Sequence, residues 1–148
     1  MKKIVVALAV IALTAGAVYG QELQNPPAVL NASFNLKYPG AGKPHWMKDG
    51  NAYAARFHYR DESYTARFDE KGRWLDETRK MNFGELRNNV RNAFIQGKFA
   101  NWRAYEVNEI QQRNGETQYR ILVRNTNETE QRYLLYDAKG QMIGVLTL

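Results

Sequence analysis

The chain has no cysteine, and only two histidines and four prolines among its 148 residues. Without cysteine there are no disulfides, and packing alone must hold the fold together. The same absence closes the lipoprotein route, in which a cysteine after the leader carries the anchor. His45 and His58 stand at no metal-ligand spacing, so they are expected at surface or edge positions rather than on a metal. No glycine-rich phosphate loop and no nucleophile elbow occurs. Two carboxylate pairs, Asp69/Glu70 and Asp76/Glu77, flank a tight turn, whereas a glycosidase needs two acids across a cleft. There is no dense Lys/Arg stripe of the kind nucleic acids require, so no nucleic-acid partner is expected. No catalytic residue, cofactor or metal site is expected.

The chain does carry an export leader. Lys2 and Lys3 make a charged start, Ile4 to Leu13 an apolar run, and Thr14 to Gly20 a stretch of small residues. Cleavage is expected before Gln21, with a cut after Ala17 as the alternative. The apolar run is too short to span a bilayer, which takes ~20 residues. Periplasm or secretion is the expected location, with no membrane anchor in the mature chain. The formal charge is +6, and removing Lys2 and Lys3 leaves about +4, a mild cationic excess.

A hairpin from Asn51 to Leu75 recurs in altered form from Thr117 to Ile143. Phe68-Asp69-Glu70-Lys71-Gly72-Arg73-Trp74-Leu75 matches Tyr136-Asp137-Ala138-Lys139-Gly140-Gln141-Met142-Ile143. Around each copy the order is the same. Pro26-Pro27 opens a helix with Leu30, Phe34 and Tyr38 on one face. A loop from Pro39 to Pro44 leads to a short strand at His45-Trp46-Met47-Lys48. Tyr53, Ala55, Phe57 and Tyr59 then alternate with Ala54, Arg56, His58 and Arg60. A two-residue loop at Asp61-Glu62 puts Tyr59 opposite Tyr64, Phe57 opposite Ala66 and Ala55 opposite Phe68. Arg73 to Thr78 closes the first half.

Asn82 and Glu85 have the spacing of a capping box for a second helix, with Leu86, Val90, Ala93 and Phe94 as its stripe and Gly97 as its end. A strand runs to Gln112, and Asn114-Gly115 is a strong hairpin signal. With Asn127-Glu128 at the next tip, Ile121 faces Leu134 and Tyr119 faces Tyr136. Met142 to Leu148 ends the chain, while Gln21 to Asn25 reads as a mobile leader.

The expected fold is α+β: a tandem repeat of a helix plus a four-stranded antiparallel unit, joined as one continuous antiparallel sheet with both helices on one face. The repeats span about 26–80 and 82–148 within a single domain of 21–148. Trp46 and Trp102 occupy matching positions and are expected in the core.

The pattern of helix, Tyr38-Pro39-Gly40, Trp46, alternating hairpin and Phe68-Asp69-x-x-Gly72-x-Trp74-Leu75, with its second copy, resembles the PepSY-like family. That family is also described as similar to beta-lactamase-inhibitor proteins, and consists of small exported proteins of Bacteroidetes. The resemblance covers the mature chain. It implies a tandem helix-plus-sheet fold in the envelope and no catalytic residues. The second half departs from it, with Gly97-Lys98-Phe99 where the first has Tyr38-Pro39-Gly40.

The sheet face opposite the helices is the candidate site. The alternation places Arg56, His58, Arg67, Arg120, Leu122, Arg124, Tyr133 and Leu135 on it. In the register above, Arg56 faces Arg67 and His58 faces Thr65, while Arg120 faces Leu135, Leu122 faces Tyr133 and Arg124 faces Gln131. Arg and Tyr are side chains that interfaces favour. The expected function is a non-enzymatic envelope protein that engages an unidentified protein or peptide across this open face. Blocking an enzyme is a special case, and no residue specifies the target. The alternative is a small-ligand carrier, or an enzyme of cone-shaped fold, with Tyr53, Phe57, Trp46 and His58 lining a pocket between sheet and helices.

Overall fold

The computed structural model describes residues 21–148, so the leader expected at Met1–Gly20 lies outside the described residues. Ten elements and one short 3-10 turn follow in order. They are α1 (Ala28–Lys37), β1 (His45–Asp49), β2 (Ala52–Tyr59), β3 (Glu62–Asp69), β4 (Trp74–Met81), a 3-10 turn (Phe83–Glu85), α2 (Asn88–Gln96), β5 (Arg103–Gln112), β6 (Thr117–Arg124), β7 (Gln131–Asp137) and β8 (Met142–Thr147). The strands form one open antiparallel sheet in sequence order, β1 to β8. The protein is α+β. Among the described residues no helix is long and apolar enough to cross a membrane.

Both helices lie on one face because the alternation stays in phase across the sheet. Phe57 pairs with Tyr64, Tyr64 with Arg79, Arg79 with Glu109, Glu109 with Tyr119, and Tyr119 with Tyr136. On that face α1 buries Leu30 and Phe34 against Trp46, Ala55, Phe57, Ala66 and Phe68. Helix α2 buries Val90 and Phe94 against Val107, Tyr119, Ile121, Val123, Leu134 and Tyr136. Phe34 meets Phe57 edge to face with ring centroids 4.8 Å apart, a geometry aromatic pairs favour. Trp46 is buried, and its indole donates to Asn31 at 2.9 Å. Trp102 packs half-buried on the second core, edge to face with Phe99.

The two Asp-x-Lys-Gly turns share one hydrogen-bond pattern. Asp69 Oδ1 accepts from the backbone N–H of Lys71 and Arg73, and Asp137 Oδ1 accepts from Lys139 and Gln141, every bond at 2.9 Å. Gly72 and Gly140 take φ of +77° and +86°. Both turns lead into a bulge. The register skips Leu75 between Asp76 and Trp74, and Ile143 between Gly144 and Met142.

Several details differ from the expectations. The β2–β3 loop is Arg60-Asp61, with φ of 51° and 65°, and Tyr59 pairs with Glu62. A two-residue hairpin loop needs positive φ at both positions to match strand twist, and this frees Glu62 to join β3. The register therefore moves by two residues, which keeps each side chain on its expected face. Arg56 faces Thr65 and His58 faces Ser63, while Arg67 faces Ala54, so the expected Arg56–Arg67 opposition is absent.

Strand β4 runs on to Met81 because β5 pairs with it that far, Met81 opposite Val107. Asp76 and Glu77 are thus mid-strand and point to opposite faces, rather than flanking a turn. The Asn82 N–H donates to the Glu85 carboxylate, yet this contact closes only the 3-10 turn. Leu86 and Arg87 are extended at φ/ψ −54°/141° and −53°/142°, so α2 begins at Asn88. The segment from Gln21 to Asn25, expected to be mobile, is pinned instead: Glu22 bridges Met47, and the Leu23 N–H donates to the Trp46 carbonyl at 2.9 Å.

Candidate binding face

All eight predicted residues lie on the face opposite the helices: Arg56 with His58, Arg120 with Leu122, Tyr133 and Leu135, and Arg67 and Arg124 each apart from these. Arg56 and His58 are exposed in the first half. They line a recess of about 560 Å³ together with Lys43, His45, Thr78, Lys80, Glu106 and Asn108. Three unambiguous cations, Lys43, Arg56 and Lys80, thus share the recess with one carboxylate. That carboxylate is fixed: Asn108, only 4% exposed, donates to Glu106 at 2.6 Å. His58 Nδ1 lies 3.3 Å from Ser63 Oγ, and His45 Nδ1 lies 3.4 Å from Glu22.

Arg67 stands apart from the other cations. Its guanidinium lies 3.3 Å from Asp49 and 3.7 Å from Asp76. Burial pushes the Asp76 carboxyl up, Arg67 pulls it down, and Asp49 pushes it up again; the net direction is upward. Arg67 is therefore engaged within the sheet.

The second half carries the aromatic part. Arg120 faces Asn108 and Leu135, Leu122 faces Glu106 and Tyr133, and Tyr133 faces Leu146. The registers expected for Arg120, Leu122 and Arg124 on β7 are those observed. The Arg120 guanidinium lies 5.0 Å from the Tyr133 ring centroid, within cation–π range. Leu122, Tyr133, Leu135 and Leu146 are all half-buried.

Sequence reasoning missed the corner beside this group. A bulge in β5 skips Tyr105, and it sets Arg103 directly opposite Arg124. Like charges opposed on a sheet are unfavourable by some tenths of a kcal/mol, roughly. Here Tyr105 relieves them, its ring centroid 4.0 Å from the Arg124 guanidinium and 5.3 Å from that of Arg103. The Tyr105 hydroxyl donates to Glu128. No turn residue marks a bulge at Tyr105, so strict alternation hid this corner. Lys43, Lys80 and Glu106 were missed because only the β4–β5 pairing and the Pro39–Pro44 loop bring them to Arg56.

The helix side holds a second recess, of about 470 Å³, at the β4–β5 seam. Lys37, Tyr64, Trp74, Glu77, Arg79, Glu109 and Arg113 are among the residues lining it. Arg79 bonds Glu62 at 2.7 Å and lies 3.5 Å from Glu109. The expected pocket set is not assembled there: Trp46 and Phe57 are buried core, Tyr53 packs beside them, and His58 points to the other face.

These features define a class of architecture: an open eight-stranded antiparallel sheet with two helices on one face and a basic, aromatic surface on the other. No protein-family model and no curated protein matches the chain. Solved structures do. A DUF2874 family protein from Bacteroides ovatus is 24% identical with a TM-score of 0.80, over 84% of this chain and 89% of its own. A Bacteroides eggerthii protein, provisionally described as periplasmic, is 20% identical with a TM-score of 0.79, over 83% and 89%. A BLIP-like protein from Bacteroides fragilis is 19% identical with a TM-score of 0.76, over 85% and 89%. The chain is similar to these proteins in fold.

Proposed function

We propose that the chain is an exported, non-enzymatic binding protein of the bacterial envelope, which engages an acidic protein or peptide across the open sheet face. The observation that carries this reading is the pairing of Arg120 with Tyr133 beside Leu122, Leu135 and Leu146, on a face that no described element covers. Such an Arg–Tyr–Leu group resembles the anchor of an interface more than an ordinary solvated sheet. Lys43, Arg56, Lys80, Arg103 and Arg124 add a cationic surround that favours an acidic partner. The leader at Met1–Gly20 and the periplasmic description of the B. eggerthii neighbour support an envelope location. The name of the B. fragilis neighbour agrees with a protein-binding, inhibitor-like role.

The chain also reads as a duplicated unit of the PepSY-like kind. Its two turns share the same pair of backbone bonds to the aspartate Oδ1, and Leu75 and Ile143 are matching bulge residues.

Affinity capture from envelope extract of the same bacterium tests the binding reading. Wild-type protein is expected to enrich one partner at low salt and less at moderate salt. Tyr133→Ala and Arg120→Ala should lose that partner while remaining folded by circular dichroism at the capture temperature. Undiminished capture by both variants sinks the reading.

The helix-side recess favours a second reading, a small-ligand carrier. Lys37 Nζ lies 4.2 Å from the Trp74 ring centroid at its rim, so the recess already accommodates a cation on an aromatic face. A ligand that binds only the native state raises its melting temperature. A metabolite screen read by thermal shift, with Trp74→Ala as the control, distinguishes the two.

A further inference from the structure

The sheet has two edges, and the chain treats them differently. At β1 the chain supplies its own cover: Glu22 bridges Met47, and the Leu23 N–H bonds the Trp46 carbonyl. Strand β1 also carries His45, Lys48 and Asp49. At the other end β8 has β7 on one side and, among the described residues, no strand on the other. Residues 141–148 read Gln-Met-Ile-Gly-Val-Leu-Thr-Leu, without a charged side chain or a proline. Charges, prolines and covering segments are the devices that keep a sheet edge from pairing. Among the described residues the chain uses two of them at β1 and none at β8.

The phase of the strand shows which groups are free. The Leu148 N–H donates to the Gln131 carbonyl at 3.1 Å. Residues of an antiparallel strand alternate, so Leu146 and Gly144 bond toward β7 while Val145 and Thr147 turn their N–H and C=O outward. Val145 is 41% exposed and Leu148 48%.

We propose that β8 pairs with β8 of a second copy, antiparallel, about a twofold axis at Leu146. Val145 of each copy then faces Thr147 of the other, adding about four backbone hydrogen bonds. Leu146 meets its own counterpart as a close, non-hydrogen-bonded pair. It already lies opposite Tyr133, and Tyr133 opposite Leu122, on the open face. The axis therefore joins two apolar rows into one, Leu122-Tyr133-Leu146 running into its copy. A second copy is the occupant these residues fit. No charged side chain on this edge opposes its like when the edge meets itself, and the covered β1 edge bars head-to-tail growth. Pairing thus closes at two.

Sedimentation velocity of the full chain, purified after export, tests this from micromolar to millimolar concentration. The expected result is a monomer–dimer equilibrium that shifts with concentration. Leu146→Lys and Leu146→Glu each set like charges against each other at the axis. Each alone should remain monomeric, with unchanged circular dichroism, and an equal mixture should regain the dimer. Val145→Lys, at a more exposed position on the other face, reads the same edge should a charge at Leu146 disturb the monomer. A wild-type chain that is monomeric throughout, or a dimer that survives every one of these charges, overturns the proposal.

Discussion

Gly140 lies against the backbone of Asn89, so close that a Cβ at position 140 would sit 2.6 Å from the Asn89 carbonyl oxygen. The Asn89 side chain reinforces the contact by donating to the Ala138 carbonyl at 2.8 Å. The turn between β7 and β8 is thus docked on the first turn of α2. Gly140→Ala should cost about 3 kcal/mol or more, because backbone must move and the φ of +86° is strained for alanine. Gly115→Ala is the control. Gly115 has a similar φ, +85°, with nothing within 4 Å of its would-be Cβ, so about 1 kcal/mol is expected. Urea unfolding of both variants decides; equal losses would mean that the contact with α2 contributes nothing.

Tyr38 ties α1 to the sheet by a chain of bonds. Its hydroxyl donates to Glu77 at 2.5 Å and accepts from the Trp74 indole at 2.9 Å. Tyr38→Phe strips both partners at once and should cost about 1–3 kcal/mol. Burial, then the Glu77 hydrogen bond, pushes the Tyr38 hydroxyl far above the ordinary tyrosine value. Burial and Glu62 push Tyr64 up to about 12. The folded state holds these protons more tightly than the unfolded state does. Stability should therefore be lost as pH rises from about 10, where unfolded tyrosine ionises, toward about 12, where Tyr64 does in the fold. A urea series from pH 9 to 11 should show a smaller loss for Tyr38→Phe than for wild type. An identical slope would refute the coupling.

The faces of the strands were legible because period two is a local property: Tyr53, Ala55, Phe57 and Tyr59 declare one side by themselves. The β2–β3 register was not. Loops at Arg60-Asp61 and at Asp61-Glu62 both keep the apolar sets together, and neither contains the glycine or asparagine that marks a primed turn. The second hairpin was readable because Asn125 and its neighbours fix the tip. Asn125 Oδ1 accepts from Thr129 and Glu130, at 2.8 and 3.1 Å. Of the candidate face, Arg120, Leu122, Tyr133 and Leu135 were found in their observed pairings. Tyr105 and Arg103 were lost to a bulge. Lys80 was lost because β4 runs past Thr78 only through its pairing with β5, a long-range fact.

Asp76 makes a pH prediction of definite sign. Burial raises its carboxyl above the ordinary value, against the pull of Arg67. The folded state then binds this proton at a higher pH than the unfolded state, where Asp titrates near about 3.9. Wild type should gain stability relative to Asp76→Asn as pH falls from the raised folded value toward the unfolded one. Urea midpoints of the two proteins, taken from pH 6 down to 3.5, report the difference. A gap that stays constant, or moves against wild type, would show that Asp76 is not raised.

Arg67 and Arg120 separate structure from recognition on one face. Arg67 lies between Asp49 and Asp76, with its side chain about a third exposed. Removing it leaves two neighbouring carboxylates with no cation between them. Arg67→Ala should therefore lower stability by about 1 kcal/mol, a figure held down by solvent screening, and leave partner capture unchanged. Arg120 has no described carboxylate within ion-pair distance and rests on the Tyr133 ring. Arg120→Ala should change stability by less than about 0.5 kcal/mol and weaken binding about tenfold, as loss of an interface anchor does. Arg120→Lys should fall between, because a lysine keeps the charge and loses the planar stack. Thermal melts and titration with the captured partner, run on all three variants, check the pattern. If Arg67→Ala weakened binding as much as Arg120→Ala, recognition would extend over the whole face rather than centre on Tyr133.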